Sequence, residues 1–218
     1  MNVINLSEQT SLLHHFLREV RDITCQNDRM RFRRNMERIG EVMAYEISKS
    51  LAYQKQNIQT PLAATEVHTI SNKMVLATIL RAGLPFHQGF LNYFDQAENA
   101  FISAYRVYTD EAHTQIAIHS EYKAAPALDG KTLLVVDPML ATGGSMDAAC
   151  QALLQNGKPA RTDLACVIAT PQAINYLQSA MPQETTLWCA AIDPILNEQK
   201  YIVPGLGDAG DLCYGNKL

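Results

Sequence analysis

The stretch Leu134-Val135-Val136-Asp137-Pro138-Met139-Leu140-Ala141-Thr142-Gly143-Gly144-Ser145 carries the clearest chemistry in the chain. An apolar run of strand length ends in an acid, and two glycines and two hydroxyl residues follow before a helical pattern begins. Glycines let backbone N–H groups approach oxyanions, and a helix N-terminus favours negative charge. Thr142 and Ser145 add hydroxyl donors. The design suits a phosphate monoester, and Asp137 is placed to accept hydrogen bonds from sugar hydroxyls, so a sugar phosphate is the expected ligand. The competing reading is a tight strand-to-helix turn that needs glycine for shape alone. A Walker loop is excluded because the G-K-[ST] lysine is missing, and G-x-G-x-x-G is absent too, which disfavours an ATPase or a dehydrogenase.

Two further places could serve the same ligand. Arg81 follows a strand-like run and precedes Ala82-Gly83, and Arg106 follows Tyr105. Guanidinium groups are permanent, planar, multidentate donors for phosphate oxygens. A surface or ion-pairing side chain is the plainer reading of each, more so for Arg106. The segment Tyr201-Ile202-Val203-Pro204-Gly205-Leu206-Gly207-Asp208-Ala209-Gly210-Asp211 is rich in glycine yet keeps apolar residues. Such a chain can lay backbone directly against a flat ligand and read it with N–H and C=O groups. A loose terminus is the alternative.

The elements that must position these residues show in the hydrophobic pattern. Met36, Ile39, Met43 and Ile47 recur at helical spacing, with Asn27 or Asp28 as the cap, and the first fifty residues read as helical. Apolar runs of strand length follow at 75–80, 101–105, 132–136, 164–169 and 187–192. Met146, Ala149, Cys150, Leu153 and Leu154 mark a helix face after the third run, and Thr170-Pro171 is a cap and first turn after the fourth. Strand and helix in alternation predict an α/β fold with a mainly parallel sheet, whose ligands sit at the carboxyl ends of the strands. Ile116 and Ile118 alternate with polar neighbours, which predicts a hairpin or flap over 106–122. Residues 194–218 read as too irregular for a core element.

With 218 residues, 47% hydrophobic and 18% charged, the chain fits one folded domain with a real core. A net charge of −4 speaks against a nucleic-acid binder. No run approaches the ~18 apolar residues of a membrane span. The start, MNVINLSEQT, lacks the pattern of a signal peptide, so the cytoplasm is the expected location. Five cysteines without a C-x-x-C pair read as reduced, mostly buried thiols, and the six histidines show no metal-site spacing. The arginines at 29, 31, 33, 34 and 38 read as a solvated or subunit-facing surface, with an effector phosphate site as the alternative.

The segment DPMLATGGS at 137–145 resembles the phosphoribosyl pyrophosphate (PRPP) motif of the uracil phosphoribosyltransferases, which carry one acid followed by proline. Ile79-Leu80-Arg81-Ala82-Gly83-Leu84 is similar to that family's pyrophosphate loop, Tyr105-Arg106 to its second PRPP arginine, and residues 201–211 to its uracil-binding tail. Arg31-Phe32-Arg33 and Tyr45-Glu46 are weaker matches. Thr78 stands where the family usually has proline, Pro85-Phe86 depart from its pattern, and residues 107–126 match poorly.

The resemblance implies the α/β phosphoribosyltransferase fold, as one domain over 1–218, with a helical segment to about 55, a flap hairpin and a small hood from about 194. It implies transfer of the phosphoribosyl group of PRPP to uracil, giving UMP and pyrophosphate in pyrimidine salvage. Asp137, Arg81, Arg106 and Asp208 are the implied catalytic residues. Pro138, Met139, Leu140, Ala141, Thr142, Gly143, Gly144 and Ser145 complete the PRPP site, and Ile202, Gly207, Asp208 and Ala209 meet uracil. Mg²⁺ is implied, held mainly by PRPP rather than by protein ligands. A homo-oligomer, dimer or tetramer, is implied, and GTP is an effector of some relatives. Two other readings stay open: an RNA-binding regulator of pyrimidine genes on the same fold, and a phosphoribosyltransferase for another base.

Overall fold

A computed structural model describes residues 1–103, 105–108, 116–119 and 122–216, and for 105–108 and 116–119 the backbone alone. The chain opens with strand β1 (Asn2–Asn5), helix α1 (Leu13–Arg21) and the long helix α2 (Arg29–Ser48). Met36, Ile39, Met43 and Ile47 form the buried stripe of α2, as their spacing requires. Asp28 caps it by accepting the Arg31 N–H at 3.0 Å. A hairpin of β2 (Tyr53–Gln59) and β3 (Ala64–Ile70) stands out from the body with almost every residue exposed.

The main sheet then forms from β4 (Met74–Leu80), β5 (Glu98–Ser103), β9 (Thr132–Val136), β11 (Arg161–Ala169) and β12 (Thr186–Ile192). Between β5 and β9 lie β6 (Tyr105–Tyr108), β7 (Ile116–His119) and the short β8 (Lys123–Ala124). The spatial order is β1-β12-β11-β9-β4-β5-β8, with short β10 (Met139–Leu140) joined to β11. All these pairs are parallel except β5 with β8. Helices α1, α2 and α3 (Gly83–Leu91) cover one face, and α4 (Gly144–Leu154) and α5 (Pro171–Ala180) cover the other. Strand β9 shows how the two cores are built: Leu134 and Val136 enter the first, Leu133 and Val135 the second. A strand buried on both faces reads as an unbroken apolar run, which is how β9 appears in the sequence.

The structure departs from the sequence reading in three places. The helical start is preceded by β1, which adds a parallel edge strand beside β12. Four residues of a mixed pattern, Asn-Val-Ile-Asn, carry no periodicity, and only the sheet edge decides their conformation. The apolar run at 101–105 is two elements, with β5 starting earlier at Glu98 and β6 beginning at Tyr105. Residues 194–218, read as no core element, contain β13 (Ile195–Leu196), β14 (Ile202–Val203) and α6 (Ala209–Tyr214). Ile202, Leu206, Ala209 and Cys213 of that segment join the first core. The expected hairpin within 106–122 exists as β6 paired antiparallel with β7.

Candidate active site

Asp137 leaves the carboxyl end of β9 between two parallel neighbours. Its N–H donates to the Ala165 carbonyl of β11 at 3.1 Å, and its Oδ1 accepts the Met139 N–H at 3.4 Å. The chain does not turn at once into a helix. Pro138 passes its carbonyl to the N–H groups of Val167 and Ile168, and Met139 and Leu140 run beside Ile168 and Ala169 as β10. The hydroxyl of Thr170, the cap of α5, donates to the Ala141 carbonyl at 2.7 Å and accepts the Ala173 N–H at 3.1 Å. The loop is therefore fixed at both ends before it reaches Thr142.

Gly143 makes the turn into α4 with φ +87°. A Cβ there would sit 2.7 Å from Cδ1 of Tyr176 and 3.2 Å from the Ala173 carbonyl oxygen. Both the left-handed backbone and the close approach of α5 require glycine. No side chain caps α4, so the first-turn N–H groups from Gly144 and Ser145 face outward at the carboxyl end of the sheet. This is the geometry of an anion site, with hydroxyls from Thr142 and Ser145 beside it. Tyr176 closes the back of the turn by donating its hydroxyl to Asp147 at 2.7 Å, which holds its own pKa above the ordinary tyrosine value.

Arg81 leaves β4, the strand next to β9, where Thr78 is level with Val136. Neighbouring strands run ~4.8 Å apart, so Arg81 leaves the sheet at the same end as Asp137, two residues past the position level with it. The guanidinium reaches across to the hood, with Nη2 3.4 Å from Oδ1 of Asp211. Arg106 lies in β6, opposite Ile118 of β7, and its side chain falls outside the described residues.

The hood is fastened to the N-terminal helices. Asp193, at the end of β12, accepts two bonds from Arg21 at 2.7 and 3.0 Å and the Gly205 N–H at 2.8 Å. Arg21 also donates to the Gly205 carbonyl at 3.1 Å, Gln26 to the Leu206 carbonyl at 3.1 Å, and Arg33 to the Cys213 carbonyl at 2.6 Å. Asp208 caps α6 by accepting the Asp211 N–H at 3.0 Å. Asn197 N–H donates to the Tyr201 carbonyl, which makes Leu196 and Ile202 the non-hydrogen-bonded pair of the β13–β14 hairpin. The Ile202 N–H and C=O therefore face away from β13 while its side chain is buried. The N–H groups of Gly207 and Ala209 take no partner among the described residues. A cavity of about 270 Å³ opens between Gln26, Asn27 and Arg29 on one wall and Gly207, Asp208 and Asp211 on the other.

The thiols near the site are poor nucleophiles. Burial pushes Cys213, under the hood, up to about 12. Burial also holds Cys166 well above its ordinary value, helped by its bond to Cys189 and by the charge of Asp137. The thiolate is the reactive form, so neither group is primed for attack. The arginine cluster of α2 is largely engaged: Arg31 grips Glu19, Arg34 pairs with Glu37 and Glu41, and Arg38 bonds Asn35 and lies over the Phe16 ring.

The uracil phosphoribosyltransferase family model matches residues 7–216. The chain belongs to that family. A uracil phosphoribosyltransferase of Porphyromonas gingivalis is 57% identical over 218 residues, which is 100% of each chain. The solved structure of the AQ2163 protein from Aquifex aeolicus is 27% identical with a TM-score of 0.86, covering 98% of both chains. A hypoxanthine phosphoribosyltransferase from Staphylococcus aureus, at 11% identity and TM-score 0.51 over 91% of this chain and 93% of that one, shares the fold. The phosphoribosyltransferase fold read from the sequence is the fold observed.

Within this uracil phosphoribosyltransferase architecture, the strand ends place Asp137 and the 138–145 loop at the same end of the sheet as Arg81, whose guanidinium meets Asp211 of the hood. Sequence reasoning passed over Arg21, Gln26 and Asp193, which hold that arrangement, while Thr170, read as the cap of α5, also ties down the loop through Ala141. Asp193 had a usable signal: Ile192-Asp193-Pro194 repeats, at the end of β12, the Val136-Asp137-Pro138 pattern at the end of β9. Arg21 and Gln26 had none, because their partners lie 172 and 180 residues away along the chain.

Proposed function

We propose that the chain transfers the 5-phosphoribosyl group of PRPP to uracil, releasing pyrophosphate and giving UMP. What supports the reading most is a glycine-made turn at the end of β9 together with a backbone hood that is fastened to α1, tied to Arg81, and leaves the Gly207 and Ala209 N–H groups without a partner among the described residues. Among the described residues no helix is long and apolar enough to cross a membrane.

The reading assigns roles as follows. Ala141, Thr142, Gly143, Gly144 and Ser145 bind the 5′-phosphate, with Pro138, Met139 and Leu140 shaping the approach. Asp137 accepts from the ribose hydroxyls. Arg81 and Arg106 meet the pyrophosphate, and Arg81 exchanges Asp211 for it. The bond from C1 of the ribose to pyrophosphate loosens first, C1 gains oxocarbenium character, and uracil N1 attacks from the opposite face as its proton passes to water, the bonding pair of the broken C–O bond leaving with pyrophosphate. No protein nucleophile is needed, and catalysis is positioning plus stabilisation of charge on the departing group. Ile202, Gly207 and Ala209 present backbone to the uracil edge.

Mg²⁺ fits this site in a particular way. Among the described residues no three His, Cys, Asp or Glu side chains gather as a cage. Asp208 and Asp211 do set hard carboxylate oxygens on the hood. That donor set suits an ion that keeps its waters and binds mainly through substrate phosphates, with Asp208 reached through water. Bound there, Mg²⁺ neutralises part of the pyrophosphate charge. The exposed β2–β3 hairpin suits a homo-oligomer, dimer or tetramer, and the cytoplasm is the working compartment under this reading. The test is incubation with PRPP, Mg²⁺ and labelled uracil: UMP and pyrophosphate should appear in equal amounts, and the absence of both on prolonged incubation overturns the reading.

A further inference from the structure

We infer that Gln26 determines base specificity through the peptide it holds: by fixing the Leu206 carbonyl it sets the direction of the Gly207 N–H, and so favours uracil over cytosine. The inference rests on the hood's reading the base by its backbone, as proposed above.

Three peptides of the hood lie between Pro204 and Gly207, and the glycines at both ends of Leu206 have positive φ, +58° at Gly205 and +90° at Gly207. A segment of this kind has low resistance to rotation of whole peptide units, because glycine takes either sign of φ at no steric cost. Rotation of a peptide unit by half a turn exchanges its N–H for its C=O. At the Leu206–Gly207 peptide that would replace a donor by an acceptor. Uracil offers a donor at N3 and acceptors at O2 and O4, while cytosine offers an acceptor at N3 and an amine at position 4. A flipped peptide is therefore a template for the wrong base.

The fold blocks the flip from outside the hood. Gln26 stands in the turn between α1 and α2, and its Nε2 carries two protons. One is shared between the Val20 and Arg21 carbonyls in the last turn of α1, at 2.9 and 3.4 Å, and the other meets the Leu206 carbonyl at 3.1 Å. The Leu206–Gly207 peptide is trans, so its N–H points opposite to the carbonyl that Gln26 holds. Arg21 does the same for the preceding unit through the Gly205 carbonyl, and Asp193 for the one before through the Gly205 N–H. The Arg21–Asp193 pair is itself bidentate and mostly buried, so these anchors do not shift independently. Of the three, Gln26 alone grips the unit that carries the Gly207 N–H, and it is the member that selects the base. Gln26 is thus a positioning residue, and the phosphate turn at Gly143 is not part of its network.

The test uses the full-length protein and three variants. Gln26→Glu keeps the size and removes the donor; Gln26→Met removes it without adding charge; Gln26→Lys restores donors. Steady-state kcat/KM is measured for uracil and for cytosine, with KM for PRPP and the melting temperature alongside. The uracil-to-cytosine ratio should fall at least tenfold in the Glu and Met variants and return to within threefold of wild type in the Lys variant, with KM for PRPP unchanged within twofold. A role in stability alone would lower both bases together and leave the ratio intact, and that outcome overturns the inference. If Gln26→Glu proves too unstable to assay, the Met variant decides by the same ratio. A wild-type protein that makes no UMP would instead remove the proposed function, so the two failures are distinct.

Discussion

Replacing Gly143 by alanine should damage both stability and PRPP use, and by amounts that follow from two separate features. The backbone at φ +87° costs a residue with a Cβ roughly 1–2 kcal/mol. The methyl group would also sit 2.7 Å from the Tyr176 ring, which is itself tied to Asp147, so the ring cannot swing away freely. Overpacking of that kind costs about 1–3 kcal/mol. Together they come to roughly 2–5 kcal/mol, and at about 2–4 °C per kcal/mol for a chain of this size the melting temperature should fall by about 4–20 °C. A displaced turn also misplaces the phosphate, and kcat/KM for PRPP should fall by about ten- to a hundredfold. The assay is a thermal melt and steady-state kinetics at saturating uracil. Gly130 is the control inside the same molecule: its φ is +70°, but a Cβ there meets nothing within 4 Å. Gly130→Ala should show the backbone cost alone, about 2–8 °C, with PRPP kinetics unchanged. If Gly143→Ala melts within about 1 °C of wild type with normal PRPP kinetics, the turn does not shape the phosphate site as argued.

Asp137→Asn should fold normally and lose about ten- to two-hundredfold in kcat/KM for PRPP, since hydrogen bonds to a charged acceptor contribute roughly 1.5–3 kcal/mol; unchanged kinetics would remove Asp137 from the ribose site. Arg106→Lys should impair PRPP use, because lysine lacks the planar fork, and wild-type rates in that variant would make Arg106 a surface residue. Glu19 is buried against α2, and the hydrogen bonds from Arg31 and then Asn35 hold its carboxyl at about 2 against an ordinary 4.5. A lowered folded pKa gives stability that is present above pH 4.5 and lost as pH falls toward 2. Urea midpoints should therefore show Glu19→Gln below wild type at neutral pH, with the gap closing through that window.

Legibility in the sequence followed how local the deciding physics is. Strand β9 and the cap of α5 at Thr170 could be read residue by residue, because a doubly buried strand and a capping pair are written in adjacent residues. The glycine turn was equally plain, since Gly143 answers to a local φ requirement. The tail was read as a ligand segment and not as a packed one: Ile202, Leu206, Ala209 and Cys213 are spaced irregularly, and only contact with α2 and the sheet explains their burial. Strand β1 could not be foreseen, because its conformation comes from register with Thr186 to Cys189. The same holds for Arg21 and Gln26, whose partners are set by tertiary folding alone.

The most direct measurement gives the protein PRPP, Mg²⁺ and equal concentrations of uracil, cytosine and hypoxanthine, and follows all three nucleotides with pyrophosphate. UMP should form with one pyrophosphate per nucleotide. CMP and IMP should stay below about one hundredth of it, because each wrong base leaves desolvated hood groups unpaired. No UMP, or CMP within tenfold of UMP, would contradict a uracil site read by the hood backbone.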